Sequence, residues 1–246
     1  MVDLDGVVWL TDQPVPGSAE AVAALRRARV RVLFVTNNSQ PTLAELVGRL
    51  ERVGIEASAE DLVTSGQAAA TLLAPGARAL VIGGGGVVES LTARGVEVVE
   101  ASPVDAVVVG WTRQFDFDRL AAAATAVRAG ATLVGTNDDP TFPTPGRLLP
   151  GAGALLAAVA TASGVVPQVA GKPHRAVADL IARRSAEVRA TVGDRPSTDG
   201  ALAHLLEVPY ALVLSGVTGE SQVPSLDPPA DAVAPDLGSL VASLGW

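Results

Sequence analysis

Met1-Val2-Asp3-Leu4-Asp5-Gly6 opens the chain, two carboxylates two residues apart between an apolar start and a glycine. In an extended strand, residues i and i+2 face the same side, so Asp3 and Asp5 project into one small volume. Like charges that close raise each other's pKa unless a cation lies between them. Carboxylates without a thiolate suit a hard cation such as Mg²⁺. The stretch therefore reads as a strand end carrying a metal site, with a nucleophile and an acid/base pair beside it. Alone, it also fits an acidic turn after a strand, so the rest of the chain decides.

Outward from this strand, apolar runs alternate with helical patterns. Ser18–Arg29 reads as a helix with Ser18 as N-cap and Val22 and Leu25 on one face. Val30–Val35 reads as a buried strand and Pro41–Val53 as a helix with Leu43, Leu46, Val47 and Leu50 at helical spacing. Leu62-Val63 is a short strand and Gly66–Leu73 a helix. After the punctuation Ala74-Pro75-Gly76-Ala77 a second block follows. Its strands are Ala79–Ile82, Val96–Val99, Asp105–Val109 and Thr132–Val134; its helices are Val87–Arg94, Asp116–Arg128 and Gly151–Ala162. Asp139–Pro150 reads as a proline-rich loop. The first pattern then resumes with helix His174–Arg184, strand Arg189–Val192, helix Thr198–Leu206 and strand Tyr210–Leu214, before a tail, Pro228–Trp246, with a short strand and a last helix. Such alternation predicts parallel sheets with crossover helices, and ligands of such folds bind at the carboxyl ends of strands. Asp3 and Asp5, Thr36-Asn37-Asn38-Ser39 and Gly193-Asp194 all fall at such ends.

Lys172 is the only lysine in the chain; every other basic side chain among the 18 Lys and Arg is arginine. One exception marks a place where a compact ammonium is wanted rather than a planar guanidinium. Its setting, Val169-Ala170-Gly171-Lys172-Pro173-His174, is a strand end or tight loop entering a helix, well placed to meet an anion.

Composition narrows the function. A chain of 246 residues that is 48% hydrophobic can bury a full core. A net charge of -8 argues against a nucleic-acid binder. It leaves room for an anionic substrate, because a bound cation reverses the local field. Cysteine is absent, which excludes disulfides and thiolate metal sites. No apolar run reaches membrane-spanning length, and a cytoplasmic location is the expectation.

Four motifs stand in order: Asp3-Leu4-Asp5-Gly6, Val35-Thr36-Asn37-Asn38, Gly171-Lys172-Pro173 and Gly193-Asp194-Arg195-Pro196-Ser197-Thr198-Asp199. Together they resemble the haloacid dehalogenase superfamily, in its branch of phosphatases related to 4-nitrophenyl phosphatase, phosphoglycolate phosphatase and the bacterial NagD nucleotidase. Asn137-Asp138, Pro150-Gly151-Ala152-Gly153 and Leu214-Ser215-Gly216-Val217-Thr218 also look like that branch. The resemblance implies an α/β fold, a Rossmann-like doubly wound parallel core of residues 1–74 and 167–246 with an inserted α/β cap of the C2 type at 75–166. It implies Mg²⁺-dependent hydrolysis of a small phosphomonoester through an aspartyl-phosphate. By resemblance Asp3 is the nucleophile and Asp5 the acid and base. Thr36 and Lys172 bind the phosphoryl group, with Asn37, Asn38 and Asn137 as further phosphate-binding residues. The metal is held by Asp3, the Asp5 carbonyl and Asp194, with Asp199 acting through water. Phosphoglycolate, glycerol phosphates, sugar phosphates, nucleotides and 4-nitrophenyl phosphate fit as substrates. Asn137–Arg147 and Gly83–Glu89 are candidate leaving-group contacts, and a homodimer through the cap is left open.

Bland readings stand beside these. Thr36 and Asn38 suit a helix cap, Asp194 a loop, and Asp199 a helix start favoured by the dipole. His174 and His204 read as packing or surface residues. Gly83–Gly86 lacks the Gly-Lys-Ser/Thr ending of a phosphate loop and reads as a flexible turn. The first strand is short: only Met1 and Val2 precede Asp3, against the usual five or six residues of a strand. It is expected to lose half its pairing and to bring a charged amine within roughly 7 Å of Asp3, so that an upstream-extended chain would be the more stable. A catalytically impaired binder of phosphorylated metabolites, or a truncated enzyme, is the alternative reading.

Overall fold

The computed structural model describes every residue except Asp12, Pro145, Gly146, Ala186 and Trp246. Two compact units make up the chain. The first comprises Met1–Thr36, Ala44–Val63 and Ile181–Trp246, the second Asn37–Leu43 and Thr64–Leu180.

In the first unit, Thr191–Gly193, Tyr210–Val213 and Ala232–Ala234 lie side by side as parallel strands, and Phe34–Thr36 pairs with Leu62–Thr64. Val2 joins the two sets, bridging in parallel to both Phe34 and Val192. Its N–H donates to the Leu33 carbonyl and its own carbonyl accepts from Val35, each at 2.9 Å. On the other side the Asp3 N–H donates to the Val192 carbonyl, and Val192 N–H donates to the Met1 carbonyl, also at 2.9 Å. Val2 and its two neighbours are thus hydrogen-bonded on both edges, over the length of a single bridge. The Met1 amine donates to the Ala190 carbonyl at 2.7 Å, and burial lowers its pKa from 8.0 to about 6. The sheet runs outward in both directions from this strand, so its order reverses there. Such a switch point is where open α/β sheets bind their ligands.

The strands are continuous apolar runs because both faces are covered; Phe34, Leu212 and Val213 are fully buried. Helix Ser18–Arg27 turns Ala21, Val22 and Leu25 inward, with Glu20 in its first turn and Arg26 and Arg27 in its last, as the helix dipole favours. Ser18 is not its N-cap. That place falls to Gly17 in the left-handed region, and the Ser18 hydroxyl donates to the Val15 carbonyl at 2.8 Å. A donor spent on the preceding turn leaves no oxygen aimed at the helix N–H groups. The expected strand Val30–Val35 is hydrogen-bonded as strand only over Phe34–Thr36; Val30 instead closes the preceding helix by donating to Leu25. The tail carries strand Ala232–Ala234 and helix Leu237–Ser243 as expected, its last residue, Trp246, lying outside the described residues.

The second unit is a five-stranded parallel sheet in the order Gln168–Val169, Thr132–Gly135, Ala106–Val109, Arg78–Ile82, Glu97–Val99. Its core packs Ile82, Val107, Val109 and Leu133 against Ala123, Ala126, Val127, Leu156 and Val159 of helices Phe117–Arg128 and Ala152–Ser163. Asp116 caps the first of these helices by accepting from the Arg119 N–H at 2.9 Å. Helix Ser65–Thr71 begins with a reciprocal pair of bonds: Gln67 N–H to Thr64 Oγ1 at 3.1 Å and Thr64 N–H to Gln67 Oε1 at 3.0 Å. The proline-rich segment read as a loop holds an antiparallel hairpin, Thr141–Thr144 with Arg147–Pro150. Proline is tolerated in strands that have a free edge, which is why its composition hid the pairing. Among the described residues, no helix is long and apolar enough to cross a membrane.

Candidate active site

Two strand ends of the first unit bring three acids together. Asp3 leaves the first strand, while Asp194 and Asp199 follow strand Thr191–Gly193. Each offers a carboxylate oxygen within 4.8 Å of the others', and all three are buried. Carboxylate oxygens are the hard donors that Mg²⁺ takes, so the cluster has the donor chemistry of such a site. Three buried carboxylates this close favour a cation among them.

Glycines make the room. A Cβ on Gly216 or on Gly6 would lie closer than 3.0 Å to the Asp194 carboxylate, and one on Gly193 would collide with Asp199. Gly6 also sits at φ 90°, which L side chains resist. Asp194 is fixed through Oδ2, which accepts from the Val217 N–H at 2.7 Å, and through its carbonyl, which accepts from the Thr218 hydroxyl at 2.6 Å. Asp199 Oδ2 accepts from the Arg195 N–H at 3.2 Å. Ser215 ties the Gly216 turn to the first motif by donating to the Gly6 carbonyl at 2.7 Å. Of these, Gly6 and Gly193 lie in the four motifs and Gly216 in the Leu214–Thr218 stretch; that Gly216 makes room for Asp194 depends on where the fold brings that carboxylate.

Thr36 is buried at the end of strand Phe34–Thr36, next to the first strand. Asp5 is half-buried, and its Oδ1 accepts from the Trp9 indole N–H at 3.0 Å. Trp9 is itself fully buried under the Arg49 guanidinium, 4.0 Å from the ring centre. Sequence reasoning missed this orienting pair. Tyr210, beneath the acids, donates to the Gly193 carbonyl at 3.4 Å. Burial, and then the charges of Asp199, Asp194 and Asp3, push its pKa up, so it serves as a neutral donor.

The second unit gathers Asn37, Asn137 and Lys172, the last only 3% exposed. Asn37 Oδ1 accepts from the Lys172 N–H at 2.8 Å, and Asn37 Nδ2 donates to the Lys172 carbonyl at 3.1 Å and to Asp139 Oδ2 at 3.0 Å. The Asn37 carbonyl accepts from Ser65 Oγ at 2.6 Å and Asn137 Nδ2 at 2.7 Å. Beside this, His174 Nε2 meets Asp138 Oδ2 at 3.1 Å. That hydrogen bond holds the Asp138 pKa below its ordinary 3.8 against the opposing effect of burial. His174, read as a surface or packing residue, thus ties two loops together.

Asn38 does not cap the next helix. Its Oδ1 accepts from the Gln40 N–H at 3.1 Å in a local turn, and helix Leu43–Arg52 starts three residues further on, with Glu89 Oε2 accepting from the Leu43 N–H at 2.8 Å. The glycine run is not a phosphate loop either. Gly86 donates to the Gln40 carbonyl at 2.9 Å, and a Cβ on Gly84 or Gly86 would overlap Gln40 or Pro41. Its glycines allow the backbone of residues 40–41 to approach. The other candidate contact, Asn137–Arg147, includes Pro145 and Gly146, which lie outside the described residues.

Comparison with known proteins adds independent findings. Residues 1–97 match the family model described as haloacid dehalogenase-like hydrolase, and residues 169–240 a second model described as HAD-hydrolase-like. The chain is 43% identical over 225 residues to a D-glycerol 3-phosphate phosphatase of Mycobacterium tuberculosis, covering 88% of this chain and 63% of that protein. The chain thus spans less than two thirds of that relative's length. It is 32% identical to an acid sugar phosphatase of Staphylococcus saprophyticus, covering 99% of this chain and 96% of that one. The crystal structure of a glycerol phosphate phosphatase from Mycobacterium tuberculosis in complex with magnesium superposes with a TM-score of 0.90 at 38% identity, over 98% of this chain and 75% of the other.

Proposed function

Because the chain belongs to the haloacid dehalogenase-like hydrolases, we propose that it is a Mg²⁺-dependent phosphatase that hydrolyses a small phosphomonoester through an aspartyl-phosphate. The observation that carries this reading is the buried trio Asp3, Asp194 and Asp199 at a sheet switch point.

Asp3, Asp194 and the Asp5 carbonyl would hold the cation, with Asp199 acting on it through water. When bound, it supplies positive charge that lets a carboxylate approach a phosphate dianion. Lys172 adds a second positive charge, and the Thr36 hydroxyl donates to a phosphoryl oxygen; Asn38 contributes beside it. An Asp3 oxygen attacks phosphorus as the bond to the leaving oxygen breaks, and the Asp5 carboxyl gives its proton to that oxygen. The Asp5 carboxylate then takes a proton from a water whose oxygen attacks phosphorus. The bond to Asp3 breaks, releasing inorganic phosphate and restoring both carboxyl groups. In this reading residues 1–74 and 167–246 serve as catalytic core and 75–166 as the cap that meets the leaving group. A cytoplasmic location and a homodimer through the cap belong to the same proposal.

The relatives are a D-glycerol 3-phosphate phosphatase and an acid sugar phosphatase, so small polyol and sugar phosphates head the substrate panel, with phosphoglycolate, nucleotides and 4-nitrophenyl phosphate behind. The test is phosphate release across that panel with Mg²⁺ and with EDTA. Turnover that needs Mg²⁺ is expected. A folded, Mg²⁺-supplied protein that releases no phosphate from any of them would leave a binder of phosphorylated metabolites in its place.

A further inference from the structure

We infer that the Asn37 side chain does not touch the substrate but is a positioning group, a clamp that fixes Lys172 through the lysine's main chain. The clamp stands on geometry; only what Lys172 then does rests on the phosphatase reading.

A primary amide has two N–H donors and one oxygen with two lone pairs. Both donors of Asn37 are taken, by the Lys172 carbonyl at 3.1 Å and Asp139 Oδ2 at 3.0 Å. A phosphoryl group offers acceptors only, so this side chain has no donor left to give one. Asn37 also reaches both backbone groups of residue 172, because its Oδ1 accepts from the Lys172 N–H at 2.8 Å. The amide therefore pairs with residue 172 as a neighbouring strand would, and the pairing fixes which atom is oxygen and which nitrogen, since the flipped amide would face donor to donor and acceptor to acceptor.

The surroundings hold the clamp itself. Ser65 and Asn137 occupy the two lone pairs of the Asn37 carbonyl at 2.6 and 2.7 Å, and Asn137 Oδ1 accepts from the Asp139 N–H at 3.1 Å. Gly171 is cut to fit: a Cβ there would stand 2.5 Å from Asn37 Oδ1 and 2.6 Å from the Thr136 carbonyl. Asn37 follows Thr36 directly in the chain. One residue thus links the main chain after the proposed phosphoryl-binding hydroxyl to the main chain of the proposed phosphoryl-binding ammonium. A partly buried amide with every donor satisfied is costly to disturb and rigid when complete.

The single lysine makes the clamp directly observable. Protein grown on lysine labelled with carbon-13 at Cε gives one side-chain resonance, that of Lys172. Asn37→Asp keeps the acceptor for the Lys172 N–H, loses both donors and sets a second carboxylate against Asp139. Gly171→Ala presses on the clamp while leaving Asn37 in place. In both, the lysine resonance is expected to shift and broaden. With 4-nitrophenyl phosphate, kcat is expected to fall by about 10²-fold, the cost of a misplaced catalytic group, with KM and inhibition by inorganic phosphate moving far less. A lysine resonance unmoved in Asn37→Asp would overturn the inference. So would a loss of phosphate affinity as large as the loss of kcat, which marks a direct phosphate ligand. If the unaltered protein turns over nothing, the phosphatase reading fails while the lysine resonance still decides the clamp. Should Gly171→Ala fail to fold, the near-isosteric Asn37→Asp carries the measurement.

Discussion

In the first unit, Asp3, Asp194 and Asp199 are set by clearance: Gly6, Gly193 and Gly216 lack the side chains that would take their place. In the second, Lys172 is set by attachment, through the hydrogen bonds of the Asn37 amide to its main chain. The contrast follows from charge. Three acids repel, and favour space for a cation among them. One lysine needs only to be aimed, and an amide that matches the backbone's own donors and acceptors can aim it. Adding an atom should therefore damage the first region most, and removing one the second.

The sharpest test removes charge without changing shape. Asp3→Asn is expected to abolish turnover by roughly 10⁴-fold or more, the scale for losing a nucleophile. Phosphate release from 4-nitrophenyl phosphate at saturating Mg²⁺ checks it; turnover within about tenfold of the unaltered protein would remove Asp3 from the role of nucleophile.

Next comes Gly216→Ala. One methyl must displace the Asp194 carboxylate, so Mg²⁺ affinity is expected to drop about 10–100-fold, as for other residues that set a metal ligand, measurable by isothermal titration. Gly86→Ala is its counterpart in the second unit. There the added methyl meets the Pro41 backbone, and the expected result is a loss of about 1–3 kcal/mol in urea unfolding with Mg²⁺ affinity unchanged. If both glycines altered metal affinity equally, the two regions would not be separate in the way drawn above. Glu89→Ala should cost about 0.5–2 kcal/mol by stripping the first N–H of helix Leu43–Arg52 of its acceptor, while Glu89→Gln retains most of that stability.

Much of this contrast is legible in the amino-acid sequence. Alternation of apolar runs with helical spacing implies parallel strands, and the carboxylate pair, the lone lysine and Gly193-Asp194 each fall at a strand end. What escapes are features that depend on pairing across large sequence distances. Strand Gln168–Val169 has only two residues and takes its identity from Val134 and Gly135. The hairpin around Phe142 hides behind prolines. Asn37 reads as a phosphate ligand because residue type and position suggest one; only the partners of its donors reveal the clamp. Gly83–Gly86 lacks the marks of a phosphate loop and is none, but the reason for its glycines, the close approach of residues 40–41, lies more than forty positions away in the chain.

The smallest expected effect concerns Asp138 and His174, at the edge of the clamp. The hydrogen bond from His174 is the largest cause holding the Asp138 pKa below 3.8, and burial opposes it. A carboxylate whose folded pKa is depressed adds stability that is fully present above its unfolded value and is lost as pH falls through the folded one. The window for Asp138 is therefore acidic, below 3.8. Since half of the Asp138 side chain is exposed, water screens the pair and the contribution is expected to be only a few tenths of a kcal/mol. His174→Ala should raise the Asp138 titration midpoint, read from its carboxyl carbon by NMR, and flatten this part of the acid-stability curve. It should leave the Lys172 resonance close to its original position, because the clamp holds the lysine main chain through Asn37 and not through the histidine two residues on. Were the lysine resonance to move as far as it does in Asn37→Asp, the attachment would have to be shared among the whole 171–174 loop, and the contrast with the acidic cluster would rest on that loop rather than on one amide.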